Sequence, residues 1–424
     1  MPSIPIDPKV VVEFADITRT ALRSPNRFHE DIGWRRYDGL ARKLLTDAGV
    51  IPPDPWISPP ALKAIIARCA LERTASGHVT QKRVAHALRE VVADIRRGQG
   101  SPGVPDYQTW VAWVILPVPT GPITGQFIEG SGILRWPQHQ CEMRLSTVGQ
   151  RHLEIAGILD GPIDNRAGAP VFKDYEGTWC LEYRYWGTEQ GVWEPFQRWM
   201  NVATLWAQHP PQWAVAFRYS LSMAAKDYTE MHKNYPDRPP GRIPVMAPDP
   251  TISALDRRFQ NLWPFVNWVG HRLTQLPGDD VHRISVAFET FHLASTNPSG
   301  ALFVTLSVML AEALLGSDRE LSRTVSQRVA WVLEGRGSVD DRDVRFREEK
   351  LLYDLRSRIV HGQVSSSGLY EAYQKMTKNA GLETVAANLL ARRIADRNRL
   401  LVVEALRIKR DSALAHWADR RLMT

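Results

Sequence analysis

The sequence predicts an α+β, multidomain protein that ends in an all-α helical bundle. A helical segment and a mixed strand-rich domain precede that bundle. Three observations carry this reading. Apolar residues recur at helical spacing in residues 1–100 and again from 255 onward. Between them, residues 105–233 hold short β-branched and aromatic runs set off by glycines. Proline-rich stretches at 51–60 and 234–254 interrupt both patterns, because proline fixes φ and lacks an N–H. At roughly 150 residues per domain, 424 residues fit two or three domains.

The elements follow in chain order. Over 80–97, Val84, Leu88, Val91, Val92 and Ile95 share a helical face, and Thr80 is placed to cap it. The stretch 98–106 breaks the helical sequence. Val111, Trp113 and Ile115 then alternate as on one face of a strand, and 127–136, 152–159 and 180–186 read as further strands. Phe196, Trp199, Ala203 and Trp206 predict a helix after Pro195. Trp179, Trp186, Trp193, Trp199, Trp206 and Trp213 fall within 35 residues. Such aromatics fill cores and interfaces more often than they stack on single-stranded bases. The segment 234–254 reads as an interdomain linker, leaving 255–424 as the bundle.

Within 255–424, Val281, Ile284, Phe288 and Phe291 predict a helix over 280–294. Another runs from 300 to 315, with Gly316 as its C′ residue. Ser317 and Glu320 form a capping-box pattern that opens a helix burying Leu321, Val325, Val329 and Val332. A loop at 335–343 separates it from a helix over 346–361, which buries Leu351, Leu352, Leu355 and Ile359. A last helix covers 382–408. The acidic pairs Asp279-Asp280 and Asp340-Asp341 read as caps or solvated turns.

Composition narrows the function classes. Apolar residues at 44% and charged residues at 23% give ample core and exclude disorder throughout. Cys69, Cys141 and Cys180 are too few and too scattered for a disulfide scaffold, which fits a reducing cytoplasm. They form no CxxC pair, and no metal or cofactor is expected. The opening MPSIPIDPKVVVEFAD lacks the features of a signal peptide. The longest apolar stretch, 301–316, is too short and too polar for a membrane span, so no membrane partner is expected. P-loop, GxGxxG and HExxH motifs are absent, His282 and His292 are isolated, and residues 1–250 assemble no recognisable catalytic constellation. The net charge is +7, and residues 391–424 hold nine basic against four acidic side chains. A solvated helix face explains such a run more often than an RNA track does.

One segment carries chemistry: Leu351-Leu352-Tyr353-Asp354-Leu355-Arg356-Ser357-Arg358-Ile359-Val360-His361-Gly362. Arg356 and His361 lie about 140° apart around a helix, with His361 at its fraying end. Ser357 and His361 are i, i+4, within reach of a hydroxyl–imidazole hydrogen bond. Tyr353, Arg356 and Val360 form a second face, which invites a partner helix. Histidine can move a proton to or from a 2′-hydroxyl, and arginine offers planar donors to a phosphate gaining charge. The partial negative charge at a helix C-terminus favours the imidazolium, which suits an acid or phosphate binder. The role of His361 stays open. Taken as bare residues, the pair is more often an exposed arginine and a C-capping histidine than a catalytic pair.

The segment resembles the signature helix of HEPN domains, in which Arg precedes His by a few residues. Three blocks, 310–316 (LAEALLG), 320–335 (ELSRTVSQRVAWVLEG) and 352–362 (LYDLRSRIVHG), are similar in order and spacing to the ApeA-like HEPN branch. Residues 387–394 fit its closing helix, so the resemblance covers about 255–410. It implies a metal-independent endoribonuclease, a toxin or antiphage defence effector, working as a homodimer with a composite site. It implies Arg356 and His361 as the catalytic pair and Ser357 at an accessory polar position, where serine is a weak acid–base group. Glu312 matches an acidic residue that orients the arginine, although a structural pairing with Arg356 or Arg328 is equally open. Arg358, Arg392, Arg393 and Arg397 are the candidate RNA contacts, and the N-terminal region would sense a trigger. Gln363 stands where HEPN toxins with a nucleotidyltransferase antitoxin carry tyrosine, which argues against regulation through that tyrosine. The alternative is a non-catalytic module that dimerises or binds RNA.

Overall fold

The computed structural model describes residues 6–23, 40, 80–99, 108–119, 130–136, 139–149, 152, 176–187, 190–207, 211, 213, 215–220, 230–233, 247–297, 299–316, 321–334, 337–384 and 386–407. The chain is α+β and divides into two units. One comprises Met1–Ile133, Cys141–Phe196 and Gln212–Val245, and the other Leu134–Gln140, Gln197–Pro211 and Met246–Thr424. The proline stretch at 51–60, the breaks at 100–106 and 234–246, the capping pattern at 317–320 and most of 152–159 lie outside the described residues.

In the first unit, α1 (Pro8–Arg23) buries Val10, Val11, Phe14, Ala15 and Ile17. It packs on α2 (Gln81–Gln99), whose N-terminus is capped by Thr80 through the Arg83 N–H at 3.4 Å. Of the residues placed on the core face of α2, Val84 and Leu88 are buried as expected. The sheet comprises β1 (Gln108–Pro119), β2 (Gly130–Trp136), β3 (His139–Thr147), β4 (Thr178–Gly187), β5 (Val215–Ser220) and β6 (Glu230–Lys233). Its spatial order is β2-β3-β4-β1-β5-β6, and β1 pairs antiparallel with both β4 and β5.

A one-sided strand at Val111, Trp113 and Ile115 is too modest a description of β1. Every residue from Trp110 to Leu116 is buried, so both faces of this central strand are covered and the apolar run is continuous. β4 is nearly as apolar but carries one carboxylate, Glu182, opposite Arg144 on β3.

Apart from residues 134–136 of β2 and 139–140 of β3, the named elements of the second unit are helical. The helix predicted after Pro195 is α3 (Glu194–Trp206), which buries Phe196, Trp199, Ala203 and Trp206. From Gln197 on, it belongs with the bundle rather than with the strand-rich region, a difference from the 105–233 grouping. A buried arginine explains the attachment. Arg399 donates to Leu205 O at 2.9 Å and Ala207 O at 3.1 Å, and pairs with Asp249 at 3.0 Å. It therefore satisfies carbonyls that a helix C-terminus leaves without intrahelical partners. Trp206 adds a hydrogen bond from Nε1 to Phe259 O at 2.8 Å. Of the clustered tryptophans whose side chains the structure describes, Trp179, Trp199 and Trp206 are core residues.

The predicted linker also ends earlier than 254. Asp249 accepts from the Thr251 N–H at 2.9 Å and Pro250 occupies the first helical turn, so α4 (Pro250–Leu255) forms. A short 3₁₀ turn (Arg257–Gln260) leads into α5 (Leu262–Leu273) and α6 (Gly278–Thr296). Val281, Ile284, Phe288 and Phe291 are buried on α6 as predicted. The hub is α7 (Gly300–Leu315), which packs against α6, α8 (Leu321–Glu334), α9 (Val339–Val360) and α11 (Ala387–Leu406). Helix α10 (Leu369–Asn379) lies against α9. A helix apolar on most faces can fill such a position.

Two predicted boundaries are corrected. Gly316 has φ −66°, not a left-handed conformation. Glycine fits there because a Cβ would come within 2.4 Å of Glu312 O. Helix α9 starts well before 346, because Ser338 and Asp341 form a reciprocal capping box inside the predicted loop. Its core stripe consists of Leu352 and Leu355, with Leu351 and Ile359 half-buried.

Candidate functional site

The C-terminal end of α9 is held by a Schellman turn. The Gln363 N–H donates to Arg358 O at 2.8 Å, and the Gly362 N–H to Ile359 O at 3.0 Å. Gly362 sits at φ +71°, where a side chain is disfavoured. His361 is consequently the C-cap residue, with its backbone fixed and its side chain exposed. The i, i+4 link to Ser357 forms through the backbone instead of the side chains: the His361 N–H donates to Ser357 O at 3.0 Å. The Ser357 side chain points to solvent.

Arg356 sits five residues before His361 and is a third exposed. Its Nη2 lies 3.9 Å from Glu312 Oε2 on α7, while its Nε is buried without a hydrogen-bond partner. The structure thus joins Glu312 to Arg356. Arg328, the other partner considered for Glu312, donates to Leu315 O at 2.6 Å and covers the C-terminus of α7.

Tyr353, one turn before Arg356, lies on the face that the sequence assigns to a partner helix. It is buried within this chain, its hydroxyl against the Glu312 carboxylate but outside hydrogen-bonding geometry. Burial, with the Glu312 charge adding to it, pushes this phenol well above its ordinary pKa. Its i, i+3 spacing to Arg356 was visible in the sequence; its burial was not. Val360 remains exposed at 59%.

The candidate RNA contacts divide. Arg358 is exposed, and Arg392 and Arg393 are exposed with loose partners, Asp396 at 4.0 Å and Glu383 at 3.4 Å. Arg397 must be withdrawn from that set. Its side chain is 2% exposed and makes a bidentate pair with Glu349, with 2.6 Å from Nε to Oε1. It also donates to Ser307 O at 3.0 Å and Asn398 Oδ1 at 2.6 Å. A guanidinium spent on four buried acceptors is not available to a phosphate. Of the nine basic residues in 391–424, Arg397 and Arg399 are interior, and Lys409, Arg410, Arg420 and Arg421 lie outside the described residues.

A second polar cluster sits in the sheet unit. Buried Glu182 accepts from Arg144, Ser146 and His152, each at 2.6 Å. The Gly149 N–H donates to His152 Nδ1 at 3.2 Å, so Nε2 carries the proton directed at Glu182. Serine and histidine both address the carboxylate, without the serine–histidine link that activates a nucleophile. The cluster satisfies a buried charge.

Among the described residues, no group of three or more His, Cys, Asp or Glu side chains is arranged to hold a metal ion. No helix among them is long and apolar enough to cross a membrane. Neither a protein-family model, nor a curated protein, nor a solved structure matches this chain.

Proposed function

We propose that the protein is a metal-independent endoribonuclease of the HEPN type, a toxin or antiphage effector regulated by its N-terminal region. The observation that carries this reading is the state of Arg356. A half-buried guanidinium with one loose carboxylate partner and an unsatisfied Nε stands five residues before an exposed histidine. In the same bundle, every guanidinium nitrogen of Arg397 and of Arg399 meets an acceptor.

In the proposed reaction the 2′-hydroxyl attacks the adjacent phosphorus, its proton is removed, and the 5′-oxygen leaves with a proton. The products are a 2′,3′-cyclic phosphate and a 5′-hydroxyl. Arg356 stabilises the charge that develops on the phosphoryl oxygens, and Glu312 orients it. His361 supplies one proton transfer, and a second copy of the chain supplies the other histidine. Ser357, exposed beside them, contacts the substrate. Arg358, Arg392 and Arg393 offer charge to the RNA backbone.

The test is sequencing of RNA ends after expression of wild type, Arg356→Ala and His361→Ala chains. New 5′-hydroxyl ends that vanish in both variants are expected. If wild type leaves RNA intact and both variants match it in every host and trigger condition, the reading fails. The competing reading, a non-catalytic dimerisation or RNA-binding module, draws on the exposed Val360 and arginines. It predicts RNA binding unchanged by His361→Ala.

A further inference from the structure

None of the proposed catalytic residues lines the cavity formed by the turn after α4, helix α5 and the end of α11. This cavity has a volume of ≈330 Å³. Its charged walls are Arg258, Arg272, Arg407 and Asp256, and its aromatic walls are Phe259 and Trp268.

The two kinds of wall are held differently. Phe259 is buried and packs on Trp268 at 5.2 Å between ring centroids, and Phe265 backs Trp268 at 5.8 Å. The half-buried indole is thereby fixed. Arg272 follows Trp268 by one helical turn. Its Nε donates to Leu406 O at 2.6 Å and its Nη1 to Gln275 Oε1 at 2.5 Å, so neutral oxygens set the direction of its guanidinium. Arg258 pairs with Asp256 at 2.7 Å and Arg407 with Glu404 at 2.8 Å. Arg258 is 77% exposed and Arg407 54%; the single contact of Arg407 is weak enough to exchange for a stronger anion, whereas Arg258 holds Asp256 through both Nε and Nη2.

Three guanidiniums face one carboxylate across the lining, beside a fixed π surface. Inorganic anions use the first feature only, and apolar ligands the second only. A nucleotide uses both, through base stacking and forked donors to phosphate. The volume lies near the bottom of the roughly 300–1,000 Å³ typical of ligand pockets, which suits one nucleotide rather than two. We propose that this cavity binds a single nucleotide, with its base on Trp268 and its phosphate among Arg258, Arg272 and Arg407. A free mononucleotide and the phosphorylated end of an RNA share this chemistry. The proposal does not depend on ribonuclease activity.

Calorimetric titration of the full chain tests it, with adenosine 5′-monophosphate, adenosine and inorganic phosphate as probes. An uncleavable 2′-O-methyl oligonucleotide, with and without a 5′-phosphate, forms the second arm. Adenosine and phosphate alone are expected to bind at least about tenfold more weakly than the monophosphate. The Arg258→Gln/Arg407→Gln chain, altered only at exposed side chains, should lose at least about tenfold in affinity with an unchanged melting temperature. Trp268→Leu should weaken the monophosphate but not inorganic phosphate. If only the 5′-phosphorylated oligonucleotide binds, the nucleotide is an RNA end. No binding in either arm overturns the proposal, as does phosphate binding as tightly as the monophosphate, or affinity indifferent to these substitutions.

Discussion

Two arginine–carboxylate pairs involve helix α9 at positions seven residues apart, and they are built in opposite ways. At Glu349 the partner Arg397 is sealed in the core, bidentate, and its remaining donors meet Ser307 O and Asn398. At Arg356 the partner Glu312 stands off at 3.9 Å, and Nε has no acceptor. The first arrangement gives every buried guanidinium nitrogen an acceptor and so works as scaffold. The second leaves donor capacity unused near the surface, five residues before His361. The difference teaches that two arginines alike in charge, each facing a carboxylate, can differ completely in how far their nitrogens are satisfied.

Substitutions sharpen the comparison. Arg397→Met should have the largest effect, because it leaves Glu349 buried without its partner. A loss of about 3–5 kcal/mol in unfolding free energy is expected from denaturant titration. Restoring an apolar pair with Glu349→Leu/Arg397→Met should recover most of it. A single variant as stable as wild type would break the contrast. At the other pair, Glu312→Gln should leave stability nearly unchanged, since both side chains are partly exposed. It should slow RNA cleavage by between about tenfold and a hundredfold by misplacing Arg356. Equal losses in stability at both pairs would mean that Arg356 is scaffold too.

Smaller effects follow. Gly362→Ala puts a Cβ on a left-handed residue and should cost roughly 1–2 kcal/mol. It should also displace His361, so cleavage falls by more than stability alone explains. His292, hydrogen-bonded to Thr204 at 2.8 Å, has its pKa lowered by burial. The unfolded chain therefore binds the extra proton first, and stability declines as pH falls below about 6.5. In His292→Gln the pH dependence of the melting temperature should be shallower on the acid side.

Much of the bundle was legible because its signals are local. Helical spacing picked out Val281, Ile284, Phe288 and Phe291, and all four are buried on α6. Phe196, Trp199, Ala203 and Trp206 likewise predicted a helix that formed. The start of α9 was misread because a run of charged residues resembles a loop unless Ser338 and Asp341 are recognised as a box. For the candidate site, the chain placed Arg356, Ser357 and His361 on one helix end. It gave no sign that Tyr353 turns inward against Glu312.

The sequence by itself determined several elements, α3 and α6 among them, and the order in which arginine, serine, histidine and glycine close α9. Periodicity, caps and turn residues act within a few positions, so they can be read from the chain. Only the tertiary structure decided which charges are interior. Arg397 and Arg399 look like Arg392 and Arg393 in the sequence. Their partners are Glu349, Ser307, Asp249 and the carbonyls of Leu205 and Ala207, up to 194 residues away. Burial depends on what packs over a side chain, and no local pattern encodes contacts between such distant segments.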